Sequence, residues 1–242
     1  YHNDGKNRRV IFNNNIVQGS DAVYWGNYCY SAEVKNNTVT DGRIYIRSRY
    51  NNSQIIVDNN TLSFTKNYSI AIQAEISYNG ASYTNETATI TNNTIKGKLN
   101  QGPEHGIYLY GNKNASVTVS KNVLEYIRYA GVYINEIKSV VVKNNNLNRV
   151  GMSSWQTSSD YYSGIRINPN ESGSIELVSN VIDSSGSWGI WLNQTTGRVD
   201  SNTVTNNGYG GIYLTGSFNY PAIDTLRYNT ITNSKSSSGK GI

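Results

Sequence analysis

One short string returns along the whole chain. Asn-Asn-Thr followed by an aliphatic residue stands at 36–39, 59–62 and 92–95. Close variants are Asn13-Asn14-Asn15-Ile16, Lys121-Asn122-Val123-Leu124, Asn144-Asn145-Asn146-Leu147, Ser179-Asn180-Val181-Ile182, Ser201-Asn202-Thr203-Val204 and Tyr228-Asn229-Thr230-Ile231. Aligned on their second residue, the copies fall at 14, 37, 60, 93, 122, 145, 180, 202 and 229, a base period of 22–23 residues with occasional insertions. A unit that short cannot bury a core alone, so it must stack on its neighbours as a solenoid.

A second signature accompanies the first. It reads Gly-Ile-Tyr-Leu-Tyr at 106–110, Gly-Val-Tyr-Ile-Asn at 131–135, Gly-Ile-Arg-Ile-Asn at 164–168, Gly-Ile-Trp-Leu-Asn at 189–193 and Gly-Ile-Tyr-Leu-Thr at 211–215. Earlier copies are Arg43-Ile44-Tyr45-Ile46-Arg47, Ser69-Ile70-Ala71-Ile72-Gln73 and, loosely, Ala22-Val23-Tyr24-Trp25. Alternation of aliphatic with polar or aromatic residues marks a strand with one buried face. A third β-prone stretch precedes each Asn motif, as in Gln54-Ile55-Ile56-Val57 and Ser116-Val117-Thr118-Val119. Each coil therefore carries two or three short strands, and no segment has the period of an amphipathic helix. Strands of successive coils stack in parallel about 4.8 Å apart. An Asn at the same turn of every coil can bond the Asn above and below, satisfying polar groups that a narrow core cannot otherwise cover. The expected fold is all-β: a right-handed parallel β-helix of about nine coils, one domain over 1–242.

Composition fits a narrow repeated core. The chain has 37% hydrophobic and 11% aromatic residues, a formal charge of +5 and one cysteine, Cys29, which excludes internal disulfides. No apolar run spans a membrane, and the mild, scattered basic excess is not a nucleic-acid footprint. Two histidines and one cysteine make no metal site, and no cofactor or calcium motif is present. The final Gly239-Lys240-Gly241-Ile242 reads as the opening of a further strand, and neither end carries a cap, so flanking domains of a longer chain are expected.

The repeat resembles that of the right-handed parallel β-helix proteins of the pectate-lyase-like superfamily, over nearly the whole length. The resemblance implies the fold. It says little of function, because the repeat residues build the scaffold. The clustered Asp residues of that superfamily's calcium sites and its paired-Asp hydrolase pattern are absent.

If the aliphatic residues of the Gly-Ile-Tyr-Leu strand point inward, those between them form an outward column: Tyr24, Tyr45, Ala71, Tyr108, Tyr133, Arg166, Trp191 and Tyr213. The next outward column reads Arg47, Gln73, Tyr110, Asn135, Asn168, Asn193 and Thr215. Aromatic rings beside amides and guanidinium groups match the apolar faces and hydroxyl rims of sugars, so polysaccharide, acidic if Arg166 takes part, is the expected partner. Stacked rings that only stabilise the sheet are the competing reading. Insertions at 77–86, 96–104 and 148–163 are expected to wall the face, bringing Tyr78, Tyr83, Trp155, Asp160, Tyr161 and Tyr162 to its rim.

Two chemistries suit such a groove. A lyase needs a base next to an acidic sugar and a cation for the developing charge; His105, Tyr108, Tyr133 and Arg166 are candidates. A hydrolase needs two carboxylates about 5–10 Å apart, for which Glu75, Glu104, Glu136 and Asp160 are available. The catalytic candidates are His105, Tyr133, Arg166 and Glu75, with lyase preferred over hydrolase. Substrate contacts are expected from Tyr45, Arg47, Tyr108, Tyr110, Tyr133, Arg166, Trp191, Tyr213, Trp155 and Tyr161. Such a protein acts outside the cell or on its surface. The alternative is a non-catalytic surface protein, an adhesin, stalk or envelope component, in which the solenoid is scaffold.

Overall fold

A computed structural model describes residues 9–48, 50–76, 84–111, 114–154, 158–169, 173–193, 196–215 and 223–235, without the side chains of 25–28. The chain winds through three sheets in turn. Among the described residues, sheet A has nine strands, from Arg9–Asn13 to Thr225–Arg227; sheet B has nine, from Ile16–Gln18 to Thr230–Thr232; sheet C has eight, from Val23–Cys29 to Gly210–Thr215. Each strand pairs in parallel with its counterpart one coil away, as Ile107–Tyr110 does with Val132–Asn135. The only helical turn among the described residues is a 3-10 turn at Asp160–Tyr162. None of their helices is long and apolar enough to cross a membrane.

The repeat explains itself position by position. The first Asn takes the left-handed conformation, with φ of 56° at Asn36, 54° at Asn59 and 55° at Asn92, a region Asn tolerates better than other side-chain-bearing residues. The second is buried and forms the ladder. Asn60 Nδ2 donates to Asn93 Oδ1 (3.0 Å), Asn93 Nδ2 to Asn122 Oδ1 (3.0 Å) and Asn122 Nδ2 to Asn145 Oδ1 (3.0 Å), and the same link runs from Asn15 to Asn229. The Thr faces out and the aliphatic residue faces in, as Thr61 and Leu62 do. In the first coil the ladder residue is Asn15, not Asn14. Three consecutive Asn leave the register open, and the inward position of Val17 opposite Val39 decides it.

Aliphatic ladders fill the interior. Ile107, Leu109, Val132, Ile134, Ile165, Ile167, Ile190, Leu192 and Ile212 are all fully buried, while Leu214 is half-buried. The Gly that opens the sheet C strand in the coils of Ile107, Val132, Ile165 and Ile190 is there for want of space. A Cβ on Gly131 would lie 2.6 Å from Leu147 Cδ2 and 2.9 Å from the Gly164 carbonyl oxygen, and Gly106, Gly164 and Gly189 are crowded in the same way.

Candidate functional site

The outer face of sheet C carries the aromatic column, with one correction. Both Tyr45 and Tyr108 pair in register with Gln73, so Gln73 replaces Ala71 in the column and Glu75 replaces Gln73 in the next. The strand Tyr68–Ile76 is set by Ile72, Ala74 and Ile76 pointing inward, and Ala71 is buried. A small inward residue at 74 hid this register from a reading based on large aliphatics.

This register assembles a closed network in the upper coils. Glu75, 8% exposed, accepts hydrogen bonds from Tyr45 Oη (2.8 Å), Gln73 Nε2 (2.8 Å) and Arg47 Nε (2.6 Å). Arg47 also donates to the Tyr45 hydroxyl. Both Glu75 oxygens are thus engaged. Tyr45 is only 5% exposed, and burial, followed by its bond to Glu75, raises its phenol above the ordinary range. The geometry of Tyr45, Arg47 and Glu75 is that of a structural clasp. Tyr110 stands in register between Glu75 and Asn135, half-buried.

The middle coils are different. Tyr108 and Tyr133 pack ring to ring at 5.0 Å, and His105 lies against both, at 5.9 and 5.6 Å. The Arg166 guanidinium sits 4.3 Å over Tyr133, 4.5 Å over Tyr161 and 5.5 Å over Trp191. Its Nη2 binds Asp160 Oδ2 at 2.6 Å. Arg166 is therefore buried under the Asp160–Tyr162 turn rather than lying open on a groove floor. Three buried polar atoms here have no hydrogen-bond partner: His105 Nδ1 and Arg166 Nε and Nη1. Burial, then the nearby Arg166 charge, depresses the His105 pKa to about 4, opposed by a hydrogen bond at the Ala130 backbone. The imidazole is neutral at pH 7. Burial raises the Tyr133 phenol despite Arg166, and raises Tyr108 to about 12, so both remain protonated donors.

In the lower coils Trp191 stacks on Tyr213 at 6.3 Å and 18°, and Tyr213 also meets Trp188 at 4.7 Å. Beside them a second, external amide ladder runs from Asn193 to Asn168 (2.7 Å) to Asn135 (2.8 Å). The column's rings thus lie largely on one another. They offer edges and hydroxyls outward, not one free face per coil; the more open ring beside the middle coils is Tyr161, 53% exposed.

Of the carboxylates proposed for hydrolysis, Asp160 and Glu75 are engaged by arginines, Glu104 lies 3.8 Å from Arg128 Nη1, and Glu136 meets Asn135 at 3.4 Å. Of the three insertions, residues 77–83 and 155–157 lie outside the described residues, and the described part of 148–163 carries the Asp160–Tyr162 turn. Trp155, Tyr78 and Tyr83 lie outside the described residues. Sequence reasoning missed Tyr129, edge-on to His105 at 5.7 Å and to Tyr162 at 5.4 Å, and Trp188, at 5.0 Å from Tyr209. Their signal was a recurrent aromatic one or two residues before the strand-opening Gly. Among the described residues no group of three His, Cys, Asp or Glu is placed to hold a metal ion.

Comparison with known proteins gives one match, to the family described as "right handed beta helix region", over residues 74–242. Neither the curated proteins nor the solved structures contain a match.

Proposed function

The chain belongs to the right-handed β-helix family, and from that premise we propose that it binds an acidic polysaccharide on the outer face of sheet C, over the coils of Tyr108, Tyr133 and Arg166. The observation that carries this is the gathering of unpartnered polar atoms around one ring. Arg166 Nε and Nη1 and His105 Nδ1 are buried without partners, and both residues pack on Tyr133. Each such group costs about 1–3 kcal/mol. The internal Asn ladder, by contrast, is hydrogen-bonded from coil to coil. Three of the eight buried side-chain atoms without a partner among the described residues meet at this one ring, and a stability cost gathered on an outer face is a reason to look for function there. A sugar carboxylate matches the guanidinium fork, and phenol and amide groups beside it suit sugar hydroxyls. Binding requires the turn carrying Tyr161 to move off Arg166. With such a ligand, we infer that the protein acts outside the cell or on its surface.

The test is affinity for oligogalacturonate, alginate and a chondroitin-like polymer against cello-oligosaccharides. Wild type is expected to prefer the acidic polymers, Tyr133→Ala to weaken binding by about 1–3 kcal/mol, the scale of aromatic stacking on bases, and Tyr161→Ala, which uncovers Arg166, not to weaken it. Equal affinity for neutral and acidic polymers, or none for any, refutes the reading.

The neutral His105 with an unpartnered Nδ1 favours a second reading, cleavage by elimination. His105 takes the proton beside the uronate carboxylate, whose charge Arg166 offsets. The electron pair forms the new C=C bond, and the departing glycosidic oxygen takes a proton from Tyr133. The reading predicts unsaturated products from wild type and none from His105→Gln; saturated products or none refute it.

A further inference from the structure

A separate cleft opens at the corner between sheets B and C. Its volume is about 270 Å³, and Lys98, Arg128, Asn67, Gln101, Tyr126 and Met152 are among its lining residues. Both walls are held by backbone hydrogen bonds. Lys98 and Gln101 close a tight turn through paired bonds of 2.8 and 2.9 Å. The opposite wall runs along the preceding coil, Met152 N donating to the Ile127 carbonyl (3.2 Å) and Ser153 N to the Arg128 carbonyl (3.0 Å). The cleft is thus preformed by the two insertions at 96–104 and 148–163.

Its chemistry is one-sided. Two cations converge on it and no carboxylate lines it. Some cations of other coils are paired closely, as in Arg43–Asp21 (3.0 Å), Lys96–Glu125 (2.8 Å) and Arg227–Asp200 (3.0 Å). Among the described residues Lys98 has no carboxylate within 4.0 Å, and Arg128 has only Glu104, at 3.8 Å. Amide groups and the Tyr126 hydroxyl add neutral donors. The cleft also adjoins the aromatic face: the Arg128 guanidinium lies 5.6 Å over Tyr129, which meets His105 edge-on.

We propose that this cleft is an oxyanion site that takes a carboxylate or sulfate-ester group of a glycan lying across the coils. The anion site stands on its own geometry; its assignment to a glycan rests on the function proposed above. Preformed walls and converging donors lower the cost of holding a small anion, and charge-assisted bonds to Lys98 and Arg128 supply the attraction.

Met152 is the only methionine of the chain, so its 13C-labelled methyl gives one NMR resonance inside the cleft. Titration with sodium sulfate is expected to shift that resonance saturably in wild type and in Tyr133→Ala, and not in the Lys98→Gln/Arg128→Gln double variant. Sodium chloride at matched ionic strength should produce no saturable shift. In parallel, an acidic oligosaccharide should bind wild type more tightly than its neutral counterpart and lose about tenfold in the double variant. Absence of a sulfate response, or an equal one in the double variant, overturns the cleft as an anion site and leaves the aromatic face untouched. Sulfate binding without preference for the acidic sugar overturns the assignment to a glycan substituent. Acidic-glycan binding that Tyr133→Ala weakens and the double variant does not refutes the cleft alone.

Discussion

Replacing Asn122 tests the internal ladder at its centre. The side chain is fully buried. Its Oδ1 accepts from Asn93 N (2.9 Å) and Nδ2 (3.0 Å), while its Nδ2 donates to Asn145 Oδ1 (3.0 Å) and the Ile90 carbonyl (2.9 Å). In Asn122→Ala the neighbouring amides retain other partners: Asn93 Nδ2 still reaches Val57 and Thr91 carbonyls, and Asn145 Oδ1 still accepts from the backbone N of residue 122. One group is orphaned, the Asn93 backbone N–H; the Ile90 carbonyl loses one donor but keeps its place in the sheet A ladder, where Thr91 pairs with Ser120. The loss is about 1–3 kcal/mol and independent of pH. Asn122→Asp keeps the acceptor but turns a second oxygen toward Asn145 Oδ1 and the Ile90 carbonyl, both acceptors. Desolvation and repulsion raise its folded pKa above the unfolded value of about 3.9. Its stability is therefore highest below that value and falls as pH rises through the folded pKa. Denaturant unfolding of both variants from pH 4 to pH 8 should give a constant deficit for Ala and a deficit for Asp that grows with pH and exceeds that of Ala at neutrality. A loss below about 1 kcal/mol for Ala, or parallel pH profiles, refutes the ladder argument.

Three further outcomes follow from the packing. The folded pKa of His105, near 4 against 6.5, means that the unfolded chain binds its proton first, so stability falls as pH drops from 6.5 through 4. The decrement is about 3 kcal/mol, and comparison of wild type with His105→Phe by denaturant unfolding should show that the variant lacks it. Lys121 and Ser179 hold the left-handed position that Asn fills in other coils, with φ of 57° and 56°, so Lys121→Asn and Ser179→Asn should each stabilise by about 0.5–1 kcal/mol in thermal melts. Gly131→Ala should cost about 1–3 kcal/mol, because backbone and Leu147 meet the added methyl; an unchanged melting temperature would contradict the close approach.

The fold was legible because the repeat states local requirements at every coil: a left-handed turn, a buried amide, an inward aliphatic. Where those requirements were duplicated or weakened, register was lost. Three consecutive Asn concealed Asn15 as the ladder residue, and Ala74 concealed the inward row beside Gln73 and Glu75. The site was less legible because it depends on what lies across coils and loops. Alternation placed Tyr108, Tyr133, Arg166 and Trp191 in one outward column, as paired in sheet C. It carries no information on whether a ring faces solvent or its neighbour. Nor could it pair Arg166 with Asp160 or Glu75 with Tyr45, since those contacts depend on a loop closing back and on a register one coil away. The cleft of Lys98 and Arg128 needs two insertions to come together, which no single repeat encodes.

The internal amide ladder also has an orientation. From Asn15 to Asn229, each side-chain Nδ2 donates to the Oδ1 of the following coil. Backbone bonds between coils run both ways: Lys121 N donates forward to the Lys143 carbonyl and Val123 N backward to the Asn93 carbonyl. Their dipoles oppose one another; those of the ladder add. The row is therefore an arrow along the axis, its electropositive end toward higher residue numbers, as aligned peptide units polarise a helix. A coil brought against one end must present an acceptor, and against the other a donor. Two copies of such a rod meeting end to end can continue the row only in a head-to-tail sense, so any filament they built would inherit the direction of a side-chain amide.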